Sequence, residues 1–352
     1  MFIGVMSGTS LDGVDIAVTE FPLNIIKESF FPYPEEIYQE LKDLDLSLHS
    51  IATLDSKLGK FYAECILSVL QQHNIKSQDV KAIGLHGQTI DHHPFGENPY
   101  TVQIGNPSIV AYLTNICTIA DFRAKDMAAN GQGAPLAPGF HKEIFGTNNI
   151  AVVNIGGIAN ISFLSENKNI IGFDIGPGNC LLDDWCNHQI GVKYDQNGKW
   201  ANTGIVIETL LDDMLADGYF LKKPPKSTGR EYFNLNWINK FTKANFRPQD
   251  VQATLSQLTA LTISKTCLEL NAKTIVLCGG GVHNTHLFNL LTEACNPVEV
   301  VSTATYAGVN PDMVEALAFA WLAWRTWNKL PGNMKSVTGA KKDLILGGIY
   351  YP

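Results

Sequence analysis

Short apolar runs alternate along the chain with turns rich in glycine, hydroxyls and aspartate. Residues 2–5 and 16–18 flank Met6-Ser7-Gly8-Thr9-Ser10-Leu11-Asp12-Gly13-Val14-Asp15, the pattern of two strands joined by a polar hairpin loop. Between residues 34 and 74, Ile51, Leu54, Leu58, Phe61, Cys65 and Leu67 recur at helical spacing against a charged face, which predicts a surface helix pair. Residues 80–85 read as a buried strand ending in His86-Gly87-Gln88-Thr89. Residues 100–104 read as another, followed by a helix at 108–114 and a strand at 116–120. A second glycine-turn hairpin comes from residues 150–154 and 159–164 around Gly156-Gly157, so the two halves of the chain open alike and suggest a duplicated fold.

Later elements repeat the strand, turn, helix order. Residues 170–173 end in Asp174-Ile175-Gly176-Pro177-Gly178-Asn179 ahead of a helix from residue 181, and residues 274–277 end in Cys278-Gly279-Gly280-Gly281-Val282-His283-Asn284 ahead of one from residue 286. Residues 312–324 predict a strongly apolar helix with Glu315 in its first turn and Ala316, Ala318, Ala320 and Ala323 as small packing residues. Side chains at the carboxyl ends of such strands commonly meet ligands in open α/β sheets.

At 352 residues the chain exceeds what one core usually serves, so two domains are expected. The Gly/Pro-rich stretch from Asn130 to Pro138 is the best boundary, giving lobes 1–133 and 134–352, with a C-terminal tail free to return to the first lobe. A hydrophobic content of 45% with 17% charged residues fits a soluble globular chain, and a net charge of -8 gives no nucleic-acid footprint. Seven scattered cysteines without a Cys-x-x-Cys pair fit reduced thiols in a cytoplasmic protein. No signal peptide is readable, and the uncharged window 144–165 carries too many asparagines and glycines for a membrane span. A homodimer stays open.

The first loop fits a phosphate site: Gly8 and Gly13 allow close backbone approach, Ser7, Thr9 and Ser10 add hydroxyl donors, and Asp12 or Asp15 suits a hydrated Mg2+. An ordinary hairpin turn fits as well. Asp174, beside a Gly-Pro-Gly turn, reads either as a carboxylate projecting toward a ligand or as the cap of the next helix. Glu315 reads either as a dipole-favoured acid in a first turn or as a second functional carboxylate. Arg123 suits bidentate recognition of a carboxylate, with Lys125 a solvated neighbour. His86, Asp91, His92 and His93 crowd one loop without zinc-site spacing, so His86 is read as a hydrogen-bonding residue. His283 and His286 read as helix-cap and surface residues.

In this order the motifs Gly4 to Asp15, Gly84 to Thr89, Asp121-Phe122-Arg123, Gly131 to Leu136, Asn154 to Asn160 and Phe173 to Asn179 resemble the anhydro-N-acetylmuramic acid kinases, within the actin-like ATPase superfamily of sugar kinases and heat-shock chaperones. The resemblance spans nearly the whole chain. It implies two α/β actin-like, ribonuclease H-like lobes with an interdomain active-site cleft. It further implies a reaction that opens the 1,6-anhydro ring of an amino sugar with water and phosphorylates O6 with ATP and Mg2+, in the recycling of cell-wall peptidoglycan. By resemblance, Asp174 is the catalytic base; Glu315 is the candidate for a second catalytic carboxylate, near the sugar and assisting at the anhydro bridge. Gly8, Thr9, Ser10, Leu11, Asp12, Gly13, Val14, Asp15, Asn154, Gly156 and Gly157 hold phosphates, and Gly279, Gly280 and Gly281 the adenosine. Ser7, His86, Gln88 and Arg123 contact the sugar, Arg123 through its lactyl carboxylate, and Asp12 is favoured for Mg2+ through water. An actin-like ATPase that changes shape for a partner, or a kinase for another sugar, would share much of this pattern.

Overall fold

A computed structural model describes residues 1–8, 10–167 and 169–352, which form two compact units. Unit 1 comprises Met1–Ile144 and Met313–Pro352, and unit 2 comprises Phe145–Asp312. The first boundary lies beyond Gly133 because the helix Ala137–Phe145 stays with unit 1 as far as Ile144, and there Phe140 packs on Trp321 and Trp321 Nε1–H donates to Glu143 (2.8 Å). The last forty residues also belong to unit 1.

Unit 1 carries strands β1 (Phe2–Met6), β2 (Gly13–Glu20), β3 (Asn24–Pro32), β4 (Ala82–Leu85), β5 (Gln88–His93), β6 (Tyr100–Ile104) and β7 (Thr118–Ala120). Its main sheet has the order β3-β2-β1-β4-β7, with β1, β2 and β3 antiparallel and β1, β4 and β7 parallel. Strands β5 and β6 form a separate two-stranded sheet. Unit 2 carries β8 (Ile150–Ile155), β9 (Ile158–Leu164), β10 (Ile171–Pro177), β11 (Thr274–Cys278) and β12 (Glu299–Ser302), and its order β10-β9-β8-β11-β12 repeats the same directions. Each unit is thus a 3-2-1-4-5 sheet built on a glycine-turn hairpin, the ribonuclease H-like arrangement. The chain's last strand, β13 (Gly348–Tyr350), pairs antiparallel with β7 and extends the first sheet.

Glycines bring one helix against the first sheet. A Cβ at Gly4 would fall on the Ala316 carbonyl and the Ala320 amide, and one at Gly84 on the Phe319 carbonyl, so β1 and β4 admit the helix Val314–Trp327 at backbone distance. That helix is apolar on nearly every side because it is buried on nearly every side. Across the sheet, the helix Leu48–Gln72 packs Leu54, Leu58, Tyr62 and Ile66 into the core at strict four-residue spacing. Leu67, expected on the buried stripe, is exposed, and Tyr62 rather than Phe61 is fully enclosed.

In unit 2 the helix Pro248–Glu269 serves two cores. Ile263 and Cys267 join Val153, Ile161 and Leu277 over the sheet, while Leu255 and Leu258 join Trp185, Phe233 and Trp237 in a helical cluster. Among the described residues no helix is long and apolar enough to cross a membrane, and the 144–165 window holds the β8-β9 hairpin. The seven cysteines are free.

Candidate active site

In unit 1 the loop after β1 rests on a buried hydrogen-bond chain. Ser7 Oγ meets Tyr62 Oη (2.9 Å), which meets Tyr33 Oη (3.1 Å), which donates to Gln88 Oε1 (3.1 Å). Gln88 Nε2 then returns to the Gly8 carbonyl (3.1 Å). Burial raises both phenols, Tyr33 to about 12, so they stay neutral links. Ser7 and Gln88 are themselves buried and spend these groups on the protein, so in the structure they shape the loop from beneath.

Glycines of this loop divide by role. Gly13 lies in β2, where a Cβ would strike the Phe31 carbonyl and sit 2.8 Å from the Phe30 ring, so strand packing explains it rather than phosphate approach. Gly8 has no steric requirement in the protein, its Cβ position being 3.5 Å from Ser10 Oγ. Leu11 takes the left-handed conformation (φ 56°) and leans on the core, and Val14 is fully buried. Exposed Asp12 accepts a hydrogen bond from Ser10, while Asp15 sits in β2 opposite Met6 and Phe30. Thr9 lies outside the described residues.

His86, just past β4, and Arg123, just past β7, form a joined pair. Arg123 donates from Nε (3.3 Å) and Nη2 (2.9 Å) to His86 Nε2, and from Nη1 to the Gly133 carbonyl (2.9 Å). An imidazole nitrogen that accepts from guanidinium carries no proton, so the His86 proton sits on Nδ1 and is donated to the Ser7 carbonyl (3.2 Å). Burial and the Arg123 charge push the His86 pKa down to about 3. Burial lowers Arg123, and the Glu315 carboxylate opposes that shift. Glu315, in the first turn of Val314–Trp327, remains solvent-accessible, yet desolvation raises its carboxyl against the pull of Arg123.

In unit 2 the Gly156-Gly157 turn is clasped by the turn after β10. Gly178 and Cys180 amides donate to the Gly157 carbonyl (2.9 and 3.0 Å), and the Asn179 amide to that of Gly156 (2.8 Å). A Cβ at Gly178 would strike the Gly156 carbonyl. Gly279 has φ 81°, and its Cβ position is blocked by Asn154 Oδ1, while that of Gly281 is blocked by Ile155; Gly280 faces open space. Gly279 and Gly281 therefore bring the turn after β11 onto the end of β8. His283 bonds Asp312 (2.7 Å) at the surface, and the cap of the following helix is Asn284.

Asp174 lies inside β10 rather than past its end, at a bulge where the register slips between Asp174 and Gly176. It caps no helix, since Asn179 holds that position. Its Oδ2 accepts from the Thr228 amide (3.0 Å), its own amide donates to the Lys226 carbonyl (3.1 Å), and its carbonyl accepts from Tyr219 Oη (2.8 Å). Desolvation raises the Asp174 pKa to about 6, Glu231 adding to the rise while Thr228 and Lys226 oppose it. Asp183, in the first turn of Cys180–Ile190, is pushed by desolvation to about 7. Tyr33, Tyr62, Tyr219 and the Lys226–Glu231 segment were not singled out from sequence. The available signal was Lys226-Ser227-Thr228-Gly229-Arg230, a glycine among hydroxyls like the first loop but, unlike it, flanked by cations.

The sequence model of the family described as anhydro-N-acetylmuramic acid kinase matches residues 1–352. Curated relatives of that name are 48% identical in Coxiella burnetii (99% of this chain, 97% of the relative), 46% in Pasteurella multocida (99% and 96%) and 45% in Legionella pneumophila (99% and 98%). A solved activator of 2-hydroxyisocaproyl-CoA dehydratase from Clostridium difficile with bound ADPNP aligns more loosely, with TM-score 0.46 and 12% identity over 92% of this chain and 94% of that one. With matched hairpins in two like units and a family match from end to end, the chain belongs to the anhydro-N-acetylmuramic acid kinase family.

Proposed function

We propose that the chain opens the 1,6-anhydro bridge of 1,6-anhydro-N-acetylmuramic acid and phosphorylates O6 with ATP in one coupled reaction. A water oxygen attacks C1, the C1–O6 bond breaks, O6 takes the γ-phosphoryl group and ADP leaves. Asp174 accepts the water proton. The observation that carries this reading is its carboxyl, raised to about 6 yet fixed by the Thr228 amide, which leaves it ionised at neutral pH and basic enough to serve. Such a base contributes on the order of a hundredfold to ten-thousandfold.

Arg123 is assigned to the lactyl carboxylate: His86 and Gly133 occupy three of its N–H groups and orient the rest. Glu315 is assigned as the second carboxylate at the sugar. The first loop, with Gly8, Ser10 and Asp12, and the Gly156-Gly157 turn are assigned to the phosphates, and Gly279 to Gly281 to the adenosine. Among the described residues no cluster of three metal-ligating side chains exists, which suits Mg2+, an ion that keeps its waters and takes oxygens from the nucleotide. Exposed Asp12 fits such a site through water; bound there, Mg2+ would neutralise phosphate charge. A cytosolic location fits seven free thiols.

The test is ATP turnover with 1,6-anhydro-N-acetylmuramic acid, N-acetylmuramic acid, glucose and no sugar. Turnover coupled only to the anhydro sugar is expected. Equal rates with glucose would favour an ordinary hexose kinase, and sugar-independent turnover a conformational ATPase.

A further inference from the structure

Phosphoryl transfer needs positive charge at the transferred group's oxygens, and none of the assigned turns carries a cation. The segment Lys226–Glu231 runs past Asp174 and ends over the phosphate turn of unit 2. Lys226 is committed: its Nζ donates to the Ile175 carbonyl (3.4 Å) and lies 4.5 Å from the Tyr219 ring centre. Thr228 holds the Asp174 carboxylate. Two residues on, Arg230 covers Gly157, with Nε 3.2 Å and Nη2 3.4 Å from where a Gly157 Cβ would stand. Among the described residues its one ion pair is a long one, Nη1 to Asp184 at 3.9 Å, and 47% of the side chain is exposed. Its charge nonetheless reaches the start of the helix Cys180–Ile190, opposing the rise that burial gives the Cys180 thiol and the Asp183 and Asp184 carboxyls.

We infer that Arg230 is the cationic ligand of the transferred phosphoryl group, and that Gly157 is glycine partly to let its guanidinium lie on the turn. This rests on the ATP-dependent reading above. A planar fork over backbone amides suits phosphate oxygens, and placing it two residues from Thr228 ties phosphate charge and base alignment to one segment.

Arg230→Gln and Arg230→Lys are compared in the full chain by steady-state kinetics and by calorimetry with a nonhydrolysable ATP analogue and with adenosine. Gln is expected to lower kcat about a hundredfold and weaken the analogue, leaving adenosine affinity, the thermal transition and the acid limb of kcat/KM unchanged. Lys should recover only part, having no fork. Gly157→Ala, which crowds the guanidinium without removing it, should lower kcat in the same direction. Wild-type kcat and analogue affinity in Arg230→Gln would overturn the inference. So would a loss that travels with a shifted acid limb, because Arg230 would then act through Asp174. If wild type itself fails to couple ATP to the anhydro sugar, the functional reading falls, while the analogue-against-adenosine comparison still decides Arg230.

Discussion

Arg123 fixes the tautomer of His86. Two guanidinium N–H groups converge on Nε2, and the ring passes its remaining proton to the Ser7 carbonyl, so a residue past β7 is joined to the first loop through one neutral imidazole. Arg123 is thereby held on one edge by His86 and on another by Gly133. A preoriented guanidinium recognises a planar anion at lower entropic cost than a free one.

The lactyl assignment predicts that Arg123→Ala weakens 1,6-anhydro-N-acetylmuramic acid by about 1.5 to 3 kcal/mol, the range for a hydrogen bond to a charged group, with ATP affinity little changed. An anhydro sugar lacking the lactyl acid should be almost indifferent to the substitution. Equal losses on both sugars would assign Arg123 to loop support alone.

Asp174 predicts a pH signature of both rate and stability. The base must be ionised, so kcat/KM should fall as pH drops through about 6, and Asp174→Asn should lose most turnover while keeping nucleotide affinity. For stability the sign reverses: a carboxyl raised from 3.8 binds more protons folded than unfolded between those values, so its contribution is present below 3.8 and lost as pH rises through about 6. Asp174→Asn should therefore melt higher than wild type at pH 7, with the advantage gone below about pH 4. A variant no more stable at neutral pH would remove the desolvation argument.

Gly4 and Gly8 make contrasting partners. Gly4→Ala drives a methyl into the backbone of Val314–Trp327 and should destabilise by about 1 to 3 kcal/mol or more. Gly8→Ala meets nothing closer than 3.5 Å, so stability should stay within about 0.5 kcal/mol while KM for ATP rises if a phosphate occupies that space. Urea unfolding and ATP kinetics separate the two; unchanged ATP kinetics in Gly8→Ala would make the loop a mere turn.

Both glycine hairpins and the strand-turn-helix units were legible because short apolar runs bounded by glycine have few alternatives. Strand β3 was not, since Lys27 and Glu28 interrupt its apolar pattern as charges often do on an edge strand. The helix Pro248–Glu269 buries small and polar residues such as Thr254, Ser256 and Thr259 between two cores, so it shows no single apolar face. Asp174 was legible as a special carboxylate but misplaced by a bulge, which periodicity does not reveal. Tyr62 looked like any aromatic on a helix. Its hydroxyl gains meaning only when folding brings Ser7 and Tyr33 to it.

Asp126 ties the loop that anchors Arg123 to the C-terminal segment of the chain. It is fully buried; Oδ2 accepts from the Gly133 amide (2.8 Å), and Oδ1 accepts from Asn333 Nδ2 (2.6 Å) and Thr338 Oγ1 (2.7 Å). Gly133 is the residue whose carbonyl anchors Arg123, so the carboxylate holds that anchor from behind. Asp126→Asn keeps size but puts an amide donor where donors already converge, which should cost about 1 to 3 kcal/mol for each partner left unmade. Because the loss falls on the Gly131–Gly133 loop, KM for the anhydro sugar should rise with KM for ATP nearly constant, the same pattern as Arg123→Ala but accompanied by a lower urea midpoint. Arg123→Ala in the Asp126→Asn background should then add less than it does alone, since both changes remove one interaction. Fully additive losses would separate Asp126 from sugar recognition and leave it a fold-stabilising carboxylate.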